Sequence, residues 1–517
     1  MPRLRLTAAR PFVLIALSGA ALSLAFPEPG LGPLAWVTIA PLLALAAGES
    51  AGRGALLAFV FGLGFFGALL YWISIIGFLG WAALIVLQAA FLGLFGCLWA
   101  PISRIGGSAA RIGLGAAVWV AIEFLRSRVP VGGFTWGQLA QSQTEVDWFL
   151  PVAAIGGGWL VAAFVVALNG AVVEIVSQAR SHQRPALIPA LMLVALFVIP
   201  VAVPDSEAAG EPVKVAIVQG NVPQDFTGPY FEKELRILQS HQRLTEELGD
   251  SELDVVVWPE SSVGMDLTTN AEAQSAVRSA AQAVDAPMIV GGNIDLDGDR
   301  YRVVAFHVDG MGEIVDVYEK THLVPFGEYV PARSVFGWIP ALERVPRDAI
   351  PSDEPVVFDI AGGAVAPVIS FEGDFGSLVR KPIAEGGRLL VVATNTSTWE
   401  HSWASAQHVA FSQVRAVENG VWVAHAALSG ISAFVAPDGE VTDSTELWTA
   451  TALVDEIRFA TKITPYARYG DWFPWLCVIV TIAGALLAVS ARRMATGEDM
   501  GAESRPAPEQ GPVDSRL

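Results

Sequence analysis

The stretch APVISFEGDFG, Ala366–Gly376, decides how this chain is read. An apolar, β-favouring run breaks off into Ser370, Phe371, Glu372, Gly373 and Asp374, so a buried strand ends abruptly in a hydroxyl and two carboxylates. Layered α/β domains commonly place chemistry at strand ends. The pattern recurs nearby: Glu260 follows VVVWP, Lys320 follows VDVYE and Asn395 follows VVAT. Outward from Ser370, β-rich runs cover 213–221, 253–262, 286–293, 301–309, 312–320, 365–373, 388–397, 420–430, 431–441 and 449–456. Helical stretches intervene at about 229–248, 270–284, 376–385 and 403–418, and PDGE at 437–440 marks a turn between two strands. Strands alternating with helices predict an α/β domain of packed layers.

A glutamate, a lysine and a nucleophile-type residue that converge at such an edge form a triad with a defined division of labour. A carboxylate in a dry pocket has a raised pKa and accepts a proton. An ammonium beside a reacting carbonyl stabilises the oxyanion, and the third member attacks and carries the acyl group. Singly, each residue has a blander reading: Glu260 as a turn or helix-cap carboxylate, Lys320 as a solvated strand end, Ser370 as a turn hydroxyl, Asn395 as structural. The triad reading gains force only if all belong to one pattern.

The rest of the chain is of a different kind. Hydrophobic residues make up 53% of the 517 and charged residues 16%, against roughly 25% charged in soluble domains. The apolar excess sits in blocks before about residue 203 and again near 473–491. About 20 apolar residues in a helix cross a hydrocarbon core, and about eight blocks qualify: 11–26, 33–48, 55–78, 80–100, 111–126, 149–178, 185–203 and 473–491. Arginines 3, 5, 10, 53, 104, 111, 180, 184, 492 and 493 fall in alternate connections, which predicts cytoplasmic termini and places 204–472 outside the cytoplasm; Arg126 and Arg128 are the exception. The expected division is a membrane domain at 1–203 with about seven helices, an extracytoplasmic domain at 204–472, a final membrane helix at 473–493 and a disordered tail at 494–517.

Composition also excludes functions. A net charge of −19 is the wrong sign for a nucleic-acid binder. The two cysteines, Cys97 and Cys477, lie in apolar blocks, so neither a disulfide framework nor a cysteine metal site is indicated. There is no phosphate-binding G-x-x-x-x-G-K-[ST], no H-E-x-x-H and no dinucleotide fingerprint opening a helix after a strand. AIGGGWL at 154–160 reads as glycines for helix packing. Of the seven histidines, His322 is the one close in sequence to the expected site, in a lining role. No cofactor and no metal are expected.

WPES at 258–261, YEKTHLVPFGEYVP at 318–331 and PVISFEGDF at 367–375, in this order, resemble the nitrilase superfamily. The membrane frame narrows the resemblance. LAFPEPGLGPLAWVTIAPLLAL (24–45), YWIS (71–74), AVWVAIEFLRSR (117–128) and GGFTWGQLAQSQ (132–143) look like the membrane part of the apolipoprotein N-acyltransferase family. IVQGNVPQ (217–224), VPFGEYVP (324–331) and RAVENGVWVAHAALSGISAFVAPDGE (415–440) fit that family's outer domain. The resemblance implies a multi-span membrane protein with an inserted αββα sandwich, seated in a bacterial cell membrane. It implies transfer of an acyl chain from a phospholipid, through an acyl-enzyme, to the amino-terminal diacylglyceryl-cysteine of a lipoprotein. Carried over, Glu260 is the proton acceptor, Lys320 the oxyanion-side cation and Glu328 a second essential glutamate. Phe371 and Glu372 match the aromatic residue and the glutamate beside the nucleophile, and Glu372 joins the catalytic set. Trp399 and Phe326 are candidates for the acyl slot.

Ser370 departs from the pattern, because the family's nucleophile is cysteine. A serine hydroxyl is a far weaker acid than a thiol of pKa about 8.5, and a thioester gives up its acyl group to amines more readily than an oxyester. Arg302 after Tyr301 replaces the family's asparagine, and DFTGPYF at 225–231 lacks its tryptophan. Three accounts fit these departures: a serine-using acyltransferase, a degenerate paralogue, and a substitution introduced to trap an acyl state. The competing functions are an inactive paralogue acting as a lipid- or partner-binding scaffold and a membrane-tethered amidase.

Overall fold

A computed structural model describes residues 2–181, 186–204, 206, 208–224, 226–249, 251–337 and 339–502. The expected tail at 494–517 lies largely outside the described residues, as do Arg184 and the side chains of Arg3 and Arg5.

Five described helices are long and apolar enough to cross a membrane: Ala51–Leu69, Phe78–Ile102, Ser108–Arg126, Gly158–Arg180 and Trp472–Met494. Three expected spans are shorter apolar helices instead, at Arg10–Ser23, Gly32–Ala46 and Leu187–Ala202. Apolar windows hide backbone breaks. The 33–48 block is divided into Gly32–Leu34, Ala35–Thr38 and Ala40–Ala46, with a proline opening the first and last pieces. The 149–178 block is divided at Gly157, whose φ of 71° leaves the helical region. A Cβ there would lie 2.7 Å from the Tyr466 ring, so this glycine, read from sequence as helix packing, marks a chain break against the polar domain. Packing glycines do join Ala51–Leu69 to Phe78–Ile102: a Cβ on Gly96 would meet the Gly54 carbonyl at 2.1 Å.

The two arginines that break the charge pattern are both engaged. Arg126 is buried and donates through Nη1 to the carbonyls of Phe134 (3.1 Å) and Trp136 (2.6 Å) and to Gln88 (3.2 Å). Arg128 pairs with Asp471 at 2.6 Å. Asp471 also accepts from Trp159 Nε1 at 3.0 Å and the Tyr466 hydroxyl at 3.2 Å, so one carboxylate at the entry to the last helix gathers three segments. Glu418 accepts from the Gly158 amide at 2.7 Å, a carboxylate on the amino end of a long helix.

The polar domain contains strands β1 Pro212–Gln219, β2 Val255–Trp258, β3 Met288–Leu296, β4 Arg300–Val308, β5 Ile314–Glu319, β6 Asp348–Ala349, β7 Phe358–Ile360, β8 Gly363–Ile369, β9 Leu389–Thr394, β10 Val423–Ala427, β11 Ala433–Val435, β12 Val441–Ser444 and β13 Thr451–Arg458. They form two sheets, one in the order β13-β1-β2-β3-β4-β5 with β6 beside β4, the other β12-β11-β10-β9-β8-β7. β1–β2–β3 and β8–β9–β10 are parallel. Side chains alternate along each strand. Val213, Val215 and Ile217 of β1 share an apolar core with Leu389 and Val391 of β9 and Ala424 and Ala426 of β10, so the sheets face one another. The opposite face of β1 and β2 packs on helices Tyr230–Glu246 and Ala271–Val284. The opposite face of β8–β10 packs on Gly376–Ala384 and Ala404–Asn419. A further apolar cluster runs from the membrane helices into Phe371, Phe375, Phe411 and Val414, so the polar domain sits directly on the helical part.

Candidate active site

Three parallel strand ends supply the site. Glu260 follows β2, and its backbone lies so near β3 that a Cβ on Gly291 would be 2.2 Å from the Pro259 carbonyl and 2.7 Å from Glu260 Cα. Lys320 follows β5, its amide tied to the Val303 carbonyl at 2.9 Å, its side chain fully buried. Ser370 follows β8 with φ 49°, a left-handed conformation that costs a non-glycine residue about 1–3 kcal/mol. That turn swings the side chain out of the strand's alternation at the point where the backbone enters a short 3-10 segment, Ser370–Asp374.

The three side chains meet. Lys320 Nζ lies 3.0 Å from Glu260 Oε1 and 2.5 Å from Glu328 Oε1. Ser370 Oγ accepts from Thr394 Oγ1 at 3.1 Å, and the Ser370 hydroxyl is among the influences that favour the charged form of Glu260. Glu328 closes its own loop by accepting the Val324 amide at 2.7 Å. Burial raises the Glu260 pKa and the nearby Glu328 charge adds to this, against the pull of Lys320. Burial by itself would discharge Lys320, but Glu260 and Glu328 reverse that and hold the ammonium above its usual range. The arrangement has one buried cation, a carboxylate poised to take a proton and a hydroxyl that favours that carboxylate's charged form.

Glu372 is occupied differently. Oε1 accepts from the Tyr318 hydroxyl (2.8 Å), the Thr321 amide and hydroxyl (2.7 Å each) and the His322 amide (3.0 Å), and Oε2 accepts from the Ile369 amide at 2.8 Å. It therefore staples the Lys320 segment to the Ser370 turn and has little capacity left for a reacting group. Phe371 is buried, stacked with Trp136 at 6.5 Å and with His322 at 5.5 Å. Trp399 is half-buried and meets Trp72 edge-on at 4.5 Å. Phe326, at φ 64° in the turn that carries Glu328, is 46% exposed. Asn395 accepts from Ser397 and shapes a turn. Arg302 pairs with Glu319 at 2.5 Å across β4 and β5, which accounts for its presence.

Sequence proximity singles out His322, and burial keeps it neutral, with a pKa lowered to about 4. A second histidine also reaches the Ser370–Asp374 segment: buried His408 stands 3.3 Å from Asp374, whose carboxylate oxygens are both buried without a hydrogen-bond partner among the described residues. His408, Trp72, Trp136 and Thr394 escape a reading by strand ends. Thr394 had a usable signal, since it directly precedes Asn395 at the end of VVAT. Among the described residues, no group of three or more metal-ligating side chains comes together.

Residues 18–171 match the family described as "Apolipoprotein N-acyltransferase N-terminal domain", and residues 214–467 match "Carbon-nitrogen hydrolase". A protein of Geobacter metallireducens named apolipoprotein N-acyltransferase is 32% identical over 505 residues, covering 93% of this chain and 95% of its own. One of the same name from Mycolicibacterium smegmatis is 33% identical, covering 91% and 84%. A solved amidase of Nesterenkonia sp. matches 48% of this chain and 91% of its own at 18% identity and a TM-score of 0.36. An amino-terminal helical match, a carbon–nitrogen hydrolase match and full-length relatives agree on one assignment: the chain belongs to the apolipoprotein N-acyltransferase family, whose members are acyltransferases.

Proposed function

We propose that this chain moves an acyl chain from a membrane phospholipid to the free α-amino group of a diacylglyceryl-cysteine at a lipoprotein amino terminus, by way of an acyl ester on Ser370. The family supports lipoprotein N-acylation in general. The observation that carries the serine route is the geometry at one point: Glu260 is paired with Lys320 at 3.0 Å, and Ser370 Oγ, held by Thr394 at 3.1 Å, favours the charged form of Glu260. Glu260 takes the Ser370 proton as Oγ attacks the phospholipid ester. Lys320 offsets charge on the tetrahedral oxygen, Glu328 holds Lys320, and Glu372 positions the Lys320 segment. The departing alcohol takes the proton back from Glu260. The substrate amine then attacks the acyl-serine by the same route in reverse.

Phe371, Trp399 and Phe326 are assigned to the acyl slot. We read the helical frame as about eight spans in a bacterial cell membrane, with both termini cytoplasmic. Residues 204–472 form an extracytoplasmic αββα sandwich and 473–493 the last span. Both substrates are lipid-anchored, and a site resting on membrane helices holds them at its own height, which lowers the entropic cost of encounter.

The test incubates the full chain in detergent with a phospholipid labelled on its acyl chain and a diacylated lipopeptide. Wild type should label covalently at Ser370 and form triacylated product. Glu260→Gln should lose at least about 100-fold in rate. Ser370→Cys should remain active, since the site accepts either nucleophile. Product from Ser370→Cys alone, with an inert wild type, would sink the serine route and make the natural chain a lapsed enzyme.

A further inference from the structure

β8 and β9 are parallel and in register, with Ile369 opposite Ala393. The next residues, Ser370 just past β8 and Thr394 at the end of β9, therefore lie side by side. Thr394 is fully buried, and its hydroxyl donates to Ser370 Oγ at 3.1 Å. A hydroxyl has one proton to give. With Thr394 filling an acceptor site on Ser370 Oγ, the serine's own proton is left for Glu260, whose charged form Ser370 favours. Thr394 thus serves Oγ as donor, and Glu260 is the group placed to take the Oγ proton.

We propose that Thr394 is a catalytic residue for acyl transfer through Ser370, its hydroxyl stabilising the charge on Oγ as the serine proton passes to Glu260. This rests on the acyl-serine reading above. As the Oγ–acyl carbon bond forms, the Oγ proton moves to Glu260. As the phospholipid's acyl carbon–oxygen bond breaks, that proton goes to the leaving alcohol. In the second half the amine nitrogen bonds to the acyl carbon and gives a proton to Glu260, and Oγ leaves and takes it. Oγ carries its greatest negative charge at the two transition states. A hydrogen bond is stronger to a charged acceptor than to a neutral one, so the Thr394 contact strengthens where it accelerates the reaction. The same donor gives little to a sulfur nucleophile, which is a weak acceptor. Thr394 thus helps a serine serve in a site whose family pattern carries cysteine.

The experiment measures single-turnover acylation of the full chain by labelled phospholipid, with the labelled residue located by peptide mapping. Thr394→Val, nearly isosteric but without the donor, should slow acylation about 10- to 100-fold, in the range of a lost oxyanion donor, and Thr394→Ser should recover most of that. In a Ser370→Cys background, adding Thr394→Val should cost less than about threefold. Equal losses in the serine and cysteine backgrounds would reduce Thr394 to packing and overturn the proposal. So would unchanged acylation by Thr394→Val while Ser370→Ala is inert, a result that leaves the acyl-serine reading standing. Undiminished labelling of Ser370→Ala at another residue overturns that reading itself, and the role of Thr394 with it.

Discussion

Glu328 touches no strand end of the triad except through Lys320, yet its charge is felt at Glu260. The two carboxylates share one ammonium, at 3.0 Å and 2.5 Å. A like charge nearby disfavours ionisation, and Glu328 is among the causes that raise the Glu260 pKa, behind burial. Glu260 must be ionised to accept the Ser370 proton, so acylation should be lost as pH falls through its raised pKa and should rise with pH above it. The acid limb of the rate profile therefore lies above the ordinary carboxylate range. Replacing Glu328 by glutamine removes the negative neighbour, so the Glu260 pKa falls and the limb moves to lower pH. The maximal rate should fall by about 10-fold as Lys320 loses one of its two anchors. Single-turnover acylation against pH for wild type and Glu328→Gln checks both the direction and the loss. A limb that stays in place would mean that Glu328 acts on geometry alone.

Strand ends make up the site because parallel strands deliver their carboxyl ends to one edge, and the tolerance there is narrow. Gly291 shows how narrow: any Cβ would strike the Pro259 carbonyl and Glu260 Cα, both backbone, which no rotamer change relieves. Gly291→Ala should displace Glu260, cutting acylation by about 100-fold and lowering thermal stability by about 1–3 kcal/mol; activity and thermal unfolding in detergent read the two effects separately. At this scale much was legible beforehand. Each of the ten β-rich runs contains a strand and each helical stretch a helix, because β-branched runs and turn residues act locally. Strands β6 and β7, of two and three residues, are too short to show a period. The apolar blocks at 33–48 and 149–178 pass as single spans because hydropathy counts side chains and does not register a proline opening or a residue at positive φ. Glu260, Lys320 and Ser370 were legible because polar residues ending apolar runs stand out. Thr394 did not stand out, since threonine at the end of a β-run reads as strand propensity. His408 reaches the Ser370–Asp374 segment only through tertiary packing.

The helical and polar halves are joined by aromatic side chains beside the nucleophile, and this juncture ties the fold to lipid chemistry. Trp136 comes from the connection after the Ser108–Arg126 helix, and Arg126, reaching from that helix, holds the connection in place by its bonds to the Phe134 and Trp136 carbonyls. Trp136 stacks on Phe371, meets Phe411 edge-on at 5.0 Å and stands 5.4 Å from Trp72, which in turn donates to Gln407 of the polar domain at 3.2 Å. A wall of this kind presents apolar surface to an acyl chain and excludes water from an ester that would otherwise hydrolyse. The proposed reaction needs both effects for a long chain and has less use for the wall with a short one. Trp136→Ala should therefore reduce acylation by a long-chain phospholipid about 10- to 100-fold, a loss of about 1.4–2.7 kcal/mol of contact in the transition state. The reduction should be clearly smaller for a water-soluble short-chain ester, and the ratio of hydrolysis to amine transfer should rise. Comparing the two donors on one preparation controls for folding, because misfolded protein lowers both rates by the same factor. Equal losses with both donors would mean that Trp136 serves only to join the two halves, and the acyl slot would then lie elsewhere along the Ser370 edge.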